Sequence, residues 1–180
     1  IEEFSQEDHS IEEVDTTTTA FIGVAEKGPK DEAVKVTSFR HFYEIFGSSV
    51  KGSWLAWATF QFFNNGGENL YILRVTGHRR TGLRETDYME AFALLDSIKD
   101  INLIAVPGIG TPTMVSFGAD YCERRGDCFF IGDMSFTDDN INKVQSFIND
   151  IQIKNSLAAI YFPWIKIKNP SKVSREPILV

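Results

Sequence analysis

Cysteine is scarce in this chain, with Cys122 and Cys128 the only two in 180 residues. Two thiols make no disulfide framework, and without further Cys or His partners they make no zinc site. They are expected to be reduced and partly buried. The three histidines, His9, His41 and His78, share no ligand spacing, so neither a metal nor a cofactor is expected. No apolar run approaches the roughly 20 residues that a membrane-crossing helix requires, so a soluble chain without membrane insertion is expected. Excess positive charge is missing too, because the net charge is −7. Residues 1–15 hold seven of the 25 acids and no Lys or Arg, leaving 18 acids against 18 bases in the remainder. A neutral body with an acidic end is a poor partner for nucleic acid, whose affinity comes from clustered Lys and Arg. The chain begins at Ile1 rather than Met, and its acidic first residues are unlike a signal peptide, so the native start is expected to lie upstream.

What is present is apolar bulk in one place. From Ser53 to Val75 the chain reads SWLAWATFQFFNNGGENLYILRV, a helix and a strand separated by Asn64, Asn65, Gly66 and Gly67. On a helix, Trp54, Leu55, Trp57, Phe60, Phe62 and Phe63 fall on all sides of the cylinder, and a helix apolar all round is buried on all sides. Such a helix needs cover from two directions. A sheet supplies one; the other is a second layer of the same chain or a neighbouring subunit. A central core helix is the plainer reading of the same pattern.

The length suits a single domain able to bury roughly 70% of the surface its unfolded chain exposes. Thr16–Ala25 is rich in β-branched residues and reads as a strand, followed by an extended Ala33–Val36. Phe39, Phe42, Tyr43 and Phe46 stand at helical spacing between Ser38 and the stop at Gly47. Ser53 is placed to cap the aromatic helix and Gly66-Gly67 to end it. Leu70–Val75 lacks polar alternation, as a strand buried on both faces does. Thr86 is expected to cap a helix over 87–99 burying Met89, Phe92, Ala93, Leu95 and Ile98. A strand over 102–106, a helix opened by Thr111 and Pro112, a strand over 128–132, a helix over 137–151 and a strand over 156–167 follow. The alternation predicts an α/β fold, with a mainly parallel or mixed sheet flanked by helices and an extended acidic N-terminal arm over 1–15.

Chemistry-bearing motifs are few. Gly108-Ile109-Gly110 lies between a strand and a helix, but Thr113 stands where a dinucleotide loop needs its third glycine and Pro112 removes an amide donor. An ordinary strand-to-helix connection is expected. No Gly-x-Ser-x-Gly elbow, Walker loop or His-Glu-x-x-His pattern occurs. Asp133 ends a strand at the sheet edge where α/β proteins place ligands, and with Arg74 and Arg79 it suggests an anion-binding or hydrolytic site. That site lacks a nucleophile and a base, so no catalytic residue is assigned and an enzyme is not expected. Basic residues gather at Arg74, His78, Arg79, Arg80 and Arg84, and again at Lys166, Lys168, Lys172 and Arg175. Both groups are ordinary solvated surface or electrostatic complements of the acidic arm.

Six ordered segments carry a resemblance. They are TTTTAFIGVAEKGP from Thr16, VTSFRHFYEIF from Val36, LAWATFQFFNNGGENLYILRV from Leu55, INLIAVPG from Ile101, YCERRGDCFFIGD from Tyr121 and AAIYFPWIKIKNP from Ala158. Together they resemble the tail sheath proteins of contractile phage tails and related contractile injection systems. The resemblance implies a structural subunit that polymerises helically around an inner tube and contracts to drive it through a target envelope. It implies a homo-oligomer that also meets the inner tube protein and the baseplate and tail-terminator proteins. Such a product is assembled in the producer's cytoplasm as part of a phage tail or injection particle. Extended arms of such subunits add strands to their neighbours' sheets. On that basis Glu2, Glu3, Glu12, Glu13 and Asp15 of the arm, with Arg79, Arg80, Lys166 and Lys168, are the expected assembly contacts, and 16–180 is one core domain. The resemblance implies two departures: only a loop of about ten residues follows Val75 where many relatives insert a domain, and the C-terminal region that relatives carry past the position of Val180 is expected to be missing from this sequence, as in a fragment or a split variant. Two other readings remain at this stage, a small α/β enzyme or anion-binding protein using Asp133 and the Pro107-Gly108 loop, and an adaptor whose acidic tail binds a basic partner.

Overall fold

The computed structural model describes residues 18–77, 82–135, 140–167 and 178–179. The acidic arm, most of the basic loop and the segment carrying Lys168 lie outside these residues.

Six strands form one mixed sheet. They are β1 (Thr19–Gly23), β2 (Ala33–Val36), β3 (Leu70–Arg74), β4 (Leu103–Ala105), β5 (Phe129–Asp133) and β6 (Ala158–Tyr161), ordered β2-β3-β1-β4-β5-β6. All neighbours pair in parallel except β2, which runs antiparallel to β3. Chain order moves outward from β1 to β3, then returns to β4 on the other side of β1. The sheet therefore reverses its winding between β1 and β4, the place where open α/β sheets leave a crevice at the carboxyl ends of their strands.

Helices α1 (Phe39–Phe46) and α2 (Leu55–Asn64) share one face of the sheet. The opposite face carries α3 (Glu85–Ala91) with the 3-10 turn Phe92–Leu95, α4 (Pro112–Arg125) and α5 (Ile141–Asp150). On that second side, Ala20, Ile22, Ile104 and Phe130 project from the sheet into a core with Phe92, Met114, Val115 and Tyr121. Gly118 of α4 lets the helix lie directly on Phe130, since a Cβ there would stand 2.5 Å from the ring.

Local signals explain the helix ends. The Ser38 hydroxyl accepts the His41 amide at 3.1 Å, and Gly47 stops α1 at φ 81°. Thr111 accepts the Met114 amide at 3.1 Å with Pro112 opening α4. Elsewhere the structure moves the boundaries. The third helix begins at Glu85, not after Thr86, because the Asp87 carboxylate reaches back to accept the Arg84 amide at 2.6 Å. Its buried face is Tyr88, Ala91, Phe92 and Leu95, while Ala93 is exposed. Asn140 caps α5 by accepting the amides of Asn142 and Lys143. The long strand expected over 156–167 is two strands. Pro163, which has no N–H to donate, separates β6 from β7 (Lys166–Ile167), and β7 pairs antiparallel with β8 (Ile178–Leu179) in a ribbon of its own.

Candidate functional site

Strand alternation places a row of residues across the face shared by α1 and α2. Ile72, Phe21, Ala105, Ile131 and Ala159 stand side by side on β3, β1, β4, β5 and β6. Burial is uneven along the row: Ile72 is fully buried under the helices and Ala105 is buried, whereas Phe21, Ile131 and Ala159 are half-buried. The next row behaves alike, from a fully buried Leu70 to half-buried Leu103 and Phe129. Helices α1 and α2 roof β2, β3 and β1; among the described residues no helix roofs β4, β5 and β6 on this side.

The aromatic helix is likewise covered on one side. Only Leu55, Ala56 and Thr59 of α2 are buried, and Trp57, Phe60, Phe62 and Phe63 are half-buried. The expectation of burial all round is therefore not met within the described residues. The rings partner each other instead: Phe60 meets Phe39 edge to face at 5.2 Å and Phe62 meets Phe21 at 5.8 Å. Beside α2 an apolar groove runs along the half-roofed sheet, past Leu103 and Phe62 at one end, where a cavity of about 470 Å³ opens. At the other end, at the carboxyl edge of the strands, lies a second cavity of about 250 Å³.

That second cavity gathers residues far apart in sequence. Phe21, Ala105 and Ile131 form its floor, Trp54 and Ala58 one wall, and Asp133 with the Pro107-Gly108 loop its end. Trp164, from the segment after β6, crosses to meet Trp54 edge to face at 5.0 Å. Gly108 sits at φ 81°, and a Cβ there would strike the Trp54 ring, so the glycine is what lets the indole lie against the loop. A Cβ at Gly110 would stand 2.4 Å from the Asp133 carbonyl oxygen. Both glycines of the Gly108-Ile109-Gly110 loop thus serve close packing. The Gly108 amide donates to Asp133 Oδ2 at 2.8 Å. Burial holds the Asp133 carboxyl above its ordinary range, and this hydrogen bond opposes the shift.

Of the two basic partners expected for Asp133, Arg79 lies outside the described residues and Arg74 is engaged elsewhere. Arg74 donates instead to the carbonyls of Ala25 and Gly28, at 3.2 and 2.7 Å. Arg84 pairs with Asp87 at 3.1 Å. Lys166 is exposed on β7. Glu2, Glu3, Glu12, Glu13, Asp15, Arg79, Arg80 and Lys168, together with His9 and His78, lie outside the described residues. Cys122 and Cys128 are free and buried, with their sulfurs 3.2 Å apart at the turn from α4 to β5. Their hydrogen bond and burial push the Cys122 thiol up. Among the described residues no three His, Cys, Asp or Glu side chains gather as a metal site, and no helix is long and apolar enough to cross a membrane.

No protein-family model matches the chain, and no curated protein matches it. Solved structures do match. The chain superposes over 99% of its length on the helical sheath of the anti-feeding prophage in its contracted state, with TM-score 0.64 and 18% identity. It matches the sheath complex of PVC, an extracellular contractile injection system, also contracted, over 91% of its length with TM-score 0.60 and 20% identity. A chain of the contracted anti-feeding prophage baseplate gives TM-score 0.66 and 16% identity over 99%. The chain spans about half the length of these proteins, covering 47%, 41% and 50% of them. Its fold is that of contractile sheath components.

Proposed function

We propose that this chain is a structural, non-enzymatic subunit of a contractile sheath, in a phage tail or a related injection particle. Subunits polymerise helically around an inner tube, and the polymer shortens to drive the tube through a target envelope. The observation that carries this reading is a sheath-component fold matched over nearly the whole chain. The half-roofed sheet face supports it, because apolar rows only half-buried among the described residues suit a surface that meets another polypeptide. Sheet edges support it as well: among the described residues β2 and β6 each have a strand on one side only, which leaves main-chain groups available for strand addition. Head-to-tail contacts that do not close on themselves generate an open helix. The free energy of contraction then resides in packing interfaces with two arrangements. Assembly takes place in the producer's cytoplasm, with contacts to tube, baseplate and tail-terminator proteins.

In this proposal residues 1–15 are the linking arm, and its acids meet basic residues of a neighbour, Arg79, Arg80, Lys166 and Lys168 among them. Deleting residues 1–15 from the native product and imaging negatively stained particles tests it. Loss of extended sheaths is the expected result; intact sheaths in the deletion remove the arm from the mechanism. An anion-binding role for Asp133 finds no support in the geometry, since a carboxylate among apolar walls repels an anion and Arg74 is engaged elsewhere.

A further inference from the structure

We infer that the cleft between α2 and the carboxyl ends of β4 and β5 is a socket for one lysine or arginine side chain presented by a partner polypeptide, with Asp133 as its counter-charge and Trp54 and Trp164 as its aromatic walls. The inference does not rest on the sheath reading and holds for whichever protein supplies the side chain.

Size is the first argument. At about 250 Å³ the cleft falls below the usual range of roughly 300–1,000 Å³ for small-molecule and cofactor pockets. It is the scale of a single inserted side chain. Charge is the second. Asp133 uses one carboxylate oxygen to accept the Gly108 amide, and the other makes no hydrogen bond among the described residues. Among the described residues Asp133 is also the only charged residue lining the cleft. A cation brought against this carboxylate favours its charged form, opposing the effect of burial.

The walls select the kind of cation. Indole faces attract an ammonium or guanidinium electrostatically, and Trp is the strongest of the aromatic rings in this respect. Phe21, Ala58 and Ile131 offer an apolar lining suited to the methylene stem of a long basic side chain, which buries its stem and carries its charge at the tip. A divalent metal is a poor fit, because one carboxylate and two indoles fall short of the six to eight oxygen ligands that calcium takes or the octahedral shell of magnesium. The neighbouring cavity at Leu103 and Phe62, which shares Phe21 and Ala58 with the cleft, offers space beside it for the partner's flanking residues.

The test uses the full chain carrying 15N-labelled tryptophan, with Trp54 and Trp164 as reporters and Trp57, which does not line the cleft, as the internal reference. n-Butylammonium is titrated against n-butanol of matched length. Saturable shifts of the Trp54 and Trp164 indole resonances with the ammonium, at least about tenfold tighter than with the alcohol, are expected. Asp133→Asn, which keeps an acceptor for the Gly108 amide, is expected to abolish that difference. Equal responses to alcohol and ammonium in the wild-type chain overturn the assignment without recourse to any variant. So does unchanged ammonium binding in Asp133→Asn. A blocked pentapeptide with one central lysine between alanines is then compared with its norleucine analogue. The lysine peptide is expected to compete with n-butylammonium; if it does not, the polypeptide partner is overturned.

Discussion

At the scale of single residues, close approach decides more than chemical type. Gly118 lies on α4 against Phe130, which is itself buried and tilted against Phe92 with centroids 6.2 Å apart, so the ring has little room to retreat. Alanine in a helix is worth about 1 kcal/mol over glycine. Overpacking costs about 1–3 kcal/mol, so Gly118→Ala is expected to lower stability on balance and Gly118→Leu to lower it further. The midpoint of urea unfolding reads both. Asp133 provides a second test, through pH. Its carboxyl is raised in the folded chain by burial, so the folded state holds the proton to higher pH than the unfolded state does. Stability from this group is therefore complete below the unfolded value, near pH 4, and declines as pH rises through the folded value. Asp133→Asn is expected to remove that decline, seen as a flatter difference in unfolding free energy between wild type and variant across the window. No other titratable group lines the cleft among the described residues. The residue types here were readable in advance: Asp133 at a strand end and glycines in the loop before α4. Their partners were not, because Trp54, Gly108, Asp133 and Trp164 come together only when strands distant in sequence pair.

At the scale of elements, ends are set by side chains competing for unsatisfied backbone groups. The cap of α4 is the clearest case, since the Thr111 hydroxyl accepts the Met114 amide and also donates to Glu85 of α3. Thr111→Ala removes both bonds and is expected to cost about 1–2 kcal/mol by denaturant titration, whereas Thr111→Ser, which keeps the hydroxyl, is expected to lose little of that stability. Ser38, Gly47, Thr111 and Pro112 announced their helix ends in the sequence because capping is local. Glu85 as the start of α3 was less legible. There a carboxylate in the first turn, Asp87, reaches back to the Arg84 amide, and Thr86 lies inside the helix. The aromatic helix shows the opposite limit. Its composition predicts cover on every side, and the fold gives it a sheet on one side and half-buried rings on the other.

At the scale of the whole molecule, the proposed assembly raises the question of how copies would hold one another. If linking arms join subunits by main-chain hydrogen bonds to sheet edges, assembly is insensitive to salt once formed. At about 1 M salt the screening length is roughly 3 Å, short enough to suppress exposed charge pairs. Assembled sheaths are therefore expected to sediment unchanged between about 0.1 and 1 M salt. An adaptor held by its acidic tail alone dissociates over the same range. The α/β class and its mixed sheet were legible from alternating strand and helix signals, and six ordered segments carried the resemblance to sheath proteins. The sheath-component fold of the solved structures agrees with it.

Sequence alone determined the class of fold, most helix ends, the acidic character of residues 1–15 and the absence of familiar catalytic signatures, since each depends on spacing or composition along the chain. Tertiary structure decided which face of the sheet stays half-roofed, that Arg74 turns away from Asp133, and that two tryptophans close on one carboxylate. Those outcomes follow from strand order and crossover side. The reversal of winding between β1 and β4 creates the crevice, and pairing in three dimensions, which no local pattern encodes, fills its walls.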